Sequence, residues 1–251
     1  MFELEARAEP SRLMAWASPL LAVALMLVGG LAVFAALGKD PVEGFRVFFL
    51  NPVKDLYALS ELLLKATPLM LCAIGLAIGF RANVWNIGAE GQFMLGAVAA
   101  TGVALYFGDA ESALVLPAMV LAGAAGGAAW AAIPALLRTR FNANEILVSL
   151  MLVYVAQLFV SWLVFGPWKD PDGFNFPQTR MFGEAALMPM VLEGTRLHLG
   201  FVIALAALVA GYAFMNRSYA GFRMRVAGEA ADAARYAGFS AQRMIWIGLL
   251  L

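Results

Sequence analysis

Long apolar runs alternate with short polar connections along most of the chain. About 20 helical residues, at about 1.5 Å rise per residue, cross the hydrocarbon core of a bilayer. The runs therefore predict membrane-spanning helices. Their predicted bounds are 13–37, 59–79, 84–107, 113–137, 146–166 and 197–215, with another helix starting at 244–251.

The first of these runs bears on whether a signal peptide is cleaved, and the last bears on how far the natural chain extends. Residues 13–37 form a longer run than the roughly 7–15 apolar residues of a cleavable signal peptide, so we predict a retained helix. The last run is too short to span a bilayer, and backbone groups left unpaired in lipid are costly. We therefore expect the natural chain to continue beyond Leu251 with further helices.

The composition agrees with an integral membrane protein. Of 251 residues, 63% are hydrophobic and only 14% are charged, with a mean hydropathy of +0.80. Soluble domains are about half apolar and about one quarter charged. A net charge of zero gives no support for nucleic-acid binding, and a single cysteine and a single histidine exclude an internal disulfide and a histidine cluster. We predict one all-α domain, a polytopic transmembrane helix bundle.

The distribution of basic residues predicts the orientation. With a cytoplasmic N-terminus, the inner connections hold ten arginines and the outer connections hold six lysines and arginines. Cytoplasmic loops carry the excess of basic residues in membrane proteins. We therefore predict that the N-terminus is cytoplasmic.

Three polar residues interrupt the third predicted helix, in the stretch "NVWNIGAEGQFMLGA" at residues 83–97. Asn86 and Glu90 are four residues apart, which places both on one face of a helix, and Gln92 lies off that face. In a helix that begins at position 84, Glu90 lies about 9 Å inside it. Ionisable residues at such depth usually face a bundle interior or a water-filled cavity, so these residues predict a substrate pathway. The alternative is a structural hydrogen bond between two helices.

Small residues recur every four positions in the fourth predicted helix, at Gly123, Gly127 and Ala131. This spacing allows membrane helices to approach closely. It predicts tight helix packing and points to no particular activity.

A long connection, residues 216–243, contains five arginines and is therefore predicted to be cytoplasmic. Its middle part, "GEAADAARYAG", is rich in alanine and predicts a short helix that Gly238 closes. Such a helix suits docking against another protein. A solvated loop with no partner is the alternative reading.

Motifs for nucleotide binding and catalysis are absent from the sequence. It contains no GxxxxGK[ST] phosphate loop, no zinc motif and no GxSxG nucleophile elbow. If ATP drives this protein, another chain must bind it.

Two stretches together resemble a known family. The stretch at residues 83–97 resembles the signature of permease subunits of bacterial ATP-binding-cassette (ABC) importers for nucleosides and simple sugars, which are related to the ribose and branched-chain amino-acid permeases. "GFRMRVAGEAADAARYAGFSAQR", residues 221–243, resembles the cytoplasmic coupling segment of that group. Ala230 stands where the family usually has Asn, which puts a local helix cap in doubt, and Phe239 stands where it often has Ile.

The resemblance implies a type II ABC importer permease in the bacterial inner membrane. Its implied partners are cytoplasmic ABC ATPases, a second permease subunit that is identical or different, and an external substrate-binding protein. It implies no enzyme activity and no cofactor in this chain, because ATP and Mg²⁺ would bind the partner ATPase. The matching positions are Asn86, Glu90 and Gln92 for the substrate pathway, and Arg223, Arg225, Gly228, Glu229, Ala234 and Gly238 for ATPase coupling. A self-contained secondary transporter or channel, with Glu90 as the ion or proton site, is the alternative.

Overall fold

The computed structural model describes residues 11–108 and 110–251, and within them all long elements are α-helices. Arg7, one of the ten predicted inner arginines, lies outside the described residues. The all-α prediction is confirmed. The helices are α1 (Arg12–Ala36), α2 (Pro41–Phe45), α3 (Leu56–Arg81), α4 (Ala89–Phe107), α5 (Val115–Phe141), α6 (Glu145–Phe165), α7 (Gly200–Arg217), α8 (Tyr219–Glu229), α9 (Ala231–Tyr236) and α10 (Ala241–Leu250).

Five helices of the described residues, α1, α3, α5, α6 and α7, are long and apolar enough to cross a membrane, judged by length and composition. They correspond to five of the six full spans that the sequence predicts. The third predicted span is a helix, α4, but it does not belong to this group. Glu90 and Gln92 lie near its start and lower its hydropathy.

The predicted start of α4 at position 84 is wrong. The helix begins at Ala89, and residues 84–88 are not helical. Val84, Trp85 and Ile87 are apolar, so the hydropathy pattern continues through a segment that is not helical. The start of α10 is also earlier than predicted, at Ala241.

The chain forms two compact units, residues 1–62 and 63–251. Within the described part of the first unit, the turn after α1 is fixed by Asp40. Its Oδ1 accepts from the backbone N–H of Val42 at 2.8 Å and so caps α2. The rings of Phe34 and Phe45 meet edge to face, with centroids 6.1 Å apart.

In the second unit, α4 and α5 pack through glycines. A Cβ built on Gly96 would lie 2.9 Å from the carbonyl oxygen of Gly123, and one on Gly127 would lie 3.2 Å from that of Gln92. Only glycine permits this separation of the two backbones. The tight packing predicted from Gly123, Gly127 and Ala131 is confirmed, and Ala131 is buried.

A buried core joins the end of α3 to the segment that precedes α4 and to the last helices of the chain. Val84 and Leu249 lie in this core with at most 1% of their surface exposed, and Met224 of α8 is fully buried there. The predicted coupling segment is therefore packed against the base of the polar motif.

Candidate functional site

The polar motif begins with a non-helical segment, residues 82–88, which follows α3 and leads into α4 and is named the extended segment here for the alternating burial of its residues. Its residues alternate strictly in burial: Ala82, Val84, Asn86 and Gly88 are buried and the residues between them are exposed. Asn83 adopts a φ of 55°, which turns the chain after α3. Non-helical backbone at membrane depth requires acceptors for its N–H groups within the protein.

Two side chains of α6 supply these acceptors. Oγ of Ser149 accepts from the backbone N–H of Ile87 at 3.2 Å, and Oε1 of Glu145 accepts from that of Trp85 at 3.5 Å. Glu145 and Ser149 are one turn apart on α6 and both are buried. They hold the extended segment along the first turns of α6.

Glu145 also forms an ion pair with Arg138, near the end of α5. Both side chains are largely shielded, with 26% of Arg138 and 11% of Glu145 exposed. Glu145 thus joins α5, α6 and the extended segment. The sequence prediction missed Arg138, Glu145 and Ser149 as site residues. It counted Arg138 only among the inner arginines, and Ser149 lay within the predicted span 146–166.

Glycines let the motif approach α6 closely. A Cβ built on Gly88 would lie 2.8 Å from Cβ of Ser149, and one built on Gly91 would lie 3.2 Å from Cα of Val153. Any side chain at Gly88 would push the segment away from its hydrogen-bond acceptors.

A cavity of about 570 Å³ lies beside the motif. Its walls are mostly apolar, and the side chains of Asn86 and Gln92 provide amide groups in them. Oδ1 of Asn86 accepts from the N–H of Gly88 at 2.8 Å, so its NH₂ group remains to donate. The lining residues come from α3, the extended segment, α4, α5, the loop before α7 and the end of the chain at α10: Leu71, Cys72, Gly75, Leu76, Asn86, Ala89, Gln92, Phe93, Gly96, Ala97, Ala100, Leu116, Met119, Val120, Gly123, Ala124, Gly127, Ala128, Ala186, Met188, Leu250 and Leu251.

Glu90 does not line this cavity. The prediction that Asn86 and Glu90 share one helix face is wrong. Asn86 precedes the helix, and the helical spacing does not apply to it. Glu90 is exposed, and its Oε1 accepts from Nε2 of Gln157 on α6 at 3.4 Å. The residues that the cavity brings together are Asn86 and Gln92.

The predicted depth of Glu90, about 9 Å inside a helix that begins at position 84, does not apply to the observed helix. Glu90 is the second residue of α4, so the distance from position 84 along a helix has no meaning. Its partner Gln157 lies 12 residues, about 18 Å, beyond the first residue of α6. The Glu90 carboxylate therefore lies far from the start of α6. The sequence prediction did not identify Gln157 as its hydrogen-bond partner.

The predicted coupling segment contains two helices, α8 and α9, before α10. Ser218 caps α8, and its Oγ accepts from the N–H of Gly221 at 2.9 Å. Gly238 follows α9 with a φ of 75°, which agrees with its predicted role in closing the short helix. That helix is shorter than predicted, because Gly228 and Glu229 belong to α8.

Ala230 separates α8 from α9 and occupies the position before the first residue of α9. No side chain caps that helix start, since a methyl group cannot accept a hydrogen bond. The doubt that the sequence raised about a cap at Ala230 is confirmed.

The six residues proposed for coupling face different surroundings. Ala234 is buried, Gly228 packs on the backbone of Arg81, and Arg225 lines a second cavity between α3 and α7. Glu229 and Gly238 are exposed. The guanidinium carbon of Arg223 lies 5.5 Å from the ring centroid of Tyr219 and 5.3 Å from that of Phe239.

Exposed aromatic residues accompany these six residues and were missed by the sequence prediction. Tyr219 and Phe222 of α8 are 67% and 47% exposed, and Tyr236 of α9 is 97% exposed. Aromatic rings and arginine are enriched where proteins bind one another. The sequence shows that these aromatic residues occur in the segment, but only the structure shows that their side chains are exposed.

No group of three or more His, Cys, Asp or Glu side chains in the part of the chain that the structure describes is placed to hold a metal ion.

One protein-family model matches the part of the chain that contains the polar motif and the cavity. Residues 58–251 match the family described as branched-chain amino acid transport system / permease component. The chain belongs to this permease family. The match covers the extended segment, the cavity and the predicted coupling segment of the permease.

Three named relatives are similar to the permease over most of its length. The glucose ABC transporter permease protein TsgB13 of Haloferax volcanii is 39% identical over 249 residues, which cover 95% of this chain and 65% of that protein. The guanosine ABC transporter permease protein NupP of Bacillus subtilis is 29% identical, covering 93% of this chain and 67% of that protein. The nucleoside ABC transporter permease protein NupB of Lactococcus lactis is 26% identical, covering 93% and 66%.

The permease thus spans about two thirds of the length of these relatives. No solved structure shows a significant match to it.

Proposed function

We propose that this chain is a membrane-spanning permease subunit of an ATP-driven importer that moves nucleosides or related simple sugars across the inner membrane. The observation that carries the proposal is the cavity beside α4, with Asn86 and Gln92 in apolar walls. Ligand pockets commonly measure about 300–1,000 Å³ and combine apolar walls with a few placed polar groups. Family membership and the names of the relatives support the same function.

The chemistry of the cavity favours a nucleoside within this class. A nucleobase has two apolar faces, which suit the ring of Phe93 and the surrounding aliphatic side chains, and polar edges that amides bind. A hexose carries hydroxyl groups around its ring and needs more polar partners than these two amides. The 39% identity to a glucose permease favours a sugar, so the experiment must compare both.

ATP hydrolysis is assigned to a partner chain, since this sequence carries no phosphate loop. The proposed docking surface is the exposed part of α8 and α9, with Tyr219, Phe222, Glu229 and Tyr236, together with the half-buried Arg223. ATP and Mg²⁺ would bind that partner. An external binding protein would deliver the substrate.

A second permease subunit is assigned to the face that carries Glu90 and Gln157. Both side chains are exposed, and Gln157 lies near the middle of the apolar helix α6. A carboxylate facing lipid is costly, whereas a neighbouring subunit or a hydrated pathway along it supplies polar surroundings. In this proposal Glu90 lines the pathway between two permeases, while Asn86 and Gln92 face the substrate cavity.

Uptake into proteoliposomes tests the function. The transporter is purified from its own membrane in mild detergent, with its co-purifying subunits, and reconstituted with ATP inside the vesicles. We expect uptake of labelled guanosine, uridine or glucose that requires ATP, fails with a non-hydrolysable ATP analogue and persists when a protonophore is added. Uptake that a protonophore abolishes and ATP does not affect would support the secondary transporter instead.

A further inference from the structure

A second cavity, of about 230 Å³, opens between α3 and α7. One end of it is apolar, with Ile74 and Ile78 of α3 facing Leu208 of α7. The other end is polar, with Arg81, Asn216 and Arg225. Because Arg81 and Asn216 lie at the C-terminal ends of their helices, the polar end coincides with the helix ends.

The polar end carries positive charge without a partner. Arg81 and Arg225 line it, and no acidic side chain does. None of the ion pairs found in the described residues involves either arginine. Nε of Arg225 is buried and has no hydrogen-bond partner among the described residues. A buried guanidinium N–H without an acceptor is costly, and a phosphate group satisfies it with charge-assisted hydrogen bonds.

The apolar walls of the cavity favour a lipid that carries a phosphate over a free phosphate ion. Position 74 is seven residues, about 10 Å, from position 81 along α3, and positions 208 and 216 of α7 are similarly far apart. A ligand that fills the cavity therefore needs an anionic head and an apolar tail. Gly211 lies on the α7 wall, and a Cβ there would lie 2.7 Å from Cγ2 of Ile74, so a side chain at position 211 would narrow the cavity.

We propose that this cavity binds an anionic phospholipid, with its phosphate between Arg81 and Arg225 and part of an acyl chain between α3 and α7. Basic pockets between membrane helices recognise anionic head groups in this way. The proposal goes beyond substrate transport, and it gives Arg225 a role within the membrane domain in place of docking to an ATPase.

Native mass spectrometry of the delipidated protein tests the site. The probes are phosphatidylglycerol, phosphatidylcholine and inorganic phosphate, and the variant is Arg81→Gln with Arg225→Gln. The matched control removes two exposed arginines of the same region, Arg235→Gln with Arg243→Gln. We expect the wild type to retain phosphatidylglycerol over phosphatidylcholine, and the cavity variant to bind it about tenfold more weakly, with no change in the control.

Three results would overturn the proposal. They are equal retention of the two lipids by the wild type, unchanged phosphatidylglycerol binding in the cavity variant, and displacement of the lipid by millimolar inorganic phosphate, which would identify a site for a free anion. The single variant Arg81→Gln, at an exposed position, keeps the test decisive if the double variant does not fold. It is expected to show a smaller loss in the same direction.

Discussion

Gly228 of α8 packs directly against the carbonyl oxygen of Arg81 at the end of α3. A Cβ at position 228 would overlap that oxygen and would lie 3.2 Å from the carbonyl carbon of Ala82. The predicted coupling segment therefore touches Arg81 and Ala82, four to five residues before Asn86, which lines the cavity. This contact within the chain is enough to require a glycine at position 228, whether or not a partner protein binds there.

The first prediction concerns this contact. Gly228→Ala is expected to destabilise the protein by about 1–3 kcal/mol, because the neighbouring atoms belong to backbone and cannot rotate away. The measurement is the apparent thermal midpoint in detergent by intrinsic fluorescence. Gly29→Ala is the matched control, since a Cβ there would meet nothing within 4 Å. Equal midpoints for the two variants would show that α8 does not pack as tightly on α3 as described.

The second prediction concerns the hydrogen bond from Ile87 to Ser149. Ser149→Ala removes the acceptor and leaves a backbone N–H unpaired, at a cost of about 1–3 kcal/mol. Hydrogen–deuterium exchange should then be about tenfold faster in residues 85–88. Ser60→Ala is the control: Ser60 is equally buried, but its hydroxyl donates only to Tyr57 in its own helix. Unchanged exchange after Ser149→Ala would mean that α6 does not hold the extended segment.

The third prediction concerns the ion pair between Arg138 and Glu145. Arg138→Gln leaves a shielded carboxylate without its cation, and breaking a buried pair costs about 3–5 kcal/mol. The exposed pair of Arg235 and Asp232, with side chains 81% and 99% exposed, is the comparison. Pairs of that kind contribute about 0–1 kcal/mol, so Arg235→Gln should leave the thermal midpoint unchanged.

A double-mutant cycle separates the pair from other effects of each substitution. Arg138→Gln combined with Glu145→Gln should cost less than the sum of the single changes, because neither partner is then left charged and alone. Strictly additive losses would indicate that the two residues stabilise the fold independently.

The fourth prediction concerns recognition in the cavity. Gln92→Leu removes an amide from a largely apolar wall and should raise the KM for the transported substrate by about tenfold, with normal membrane insertion. The control is Gln178→Leu, in the loop between α6 and α7 and outside the cavity. An unchanged KM after Gln92→Leu would remove this residue from the substrate site.

The fifth prediction separates Glu90 from Gln92. Glu90→Gln removes the charge but keeps a group that can hydrogen-bond to Gln157, so the fold should be preserved. If Glu90 lines a pathway between two permeases, the maximal rate of uptake should fall while KM stays close to that of the wild type. A raised KM with an unchanged maximal rate would place Glu90 in the substrate site, as the sequence alone suggested.

The sequence by itself determined the all-α membrane architecture, since hydropathy over about 20 residues is a local property of the chain. It also determined the helix end at Gly238, because a positive φ after a short helix depends on one residue and its neighbours. The close packing at Gly123 and Gly127 followed from the spacing of small residues. These features need no knowledge of distant partners.

Only the tertiary structure decided how the polar motif is arranged. The extended segment before α4 is stable because Glu145 and Ser149, about 60 residues further along the chain, accept its N–H groups. Hydropathy does not report such pairing, and the apolar residues between Ala82 and Gly88 concealed the break in the helix. The same break places Asn86 in the cavity and turns Glu90 towards α6, because helical spacing relates two residues only when both belong to the helix.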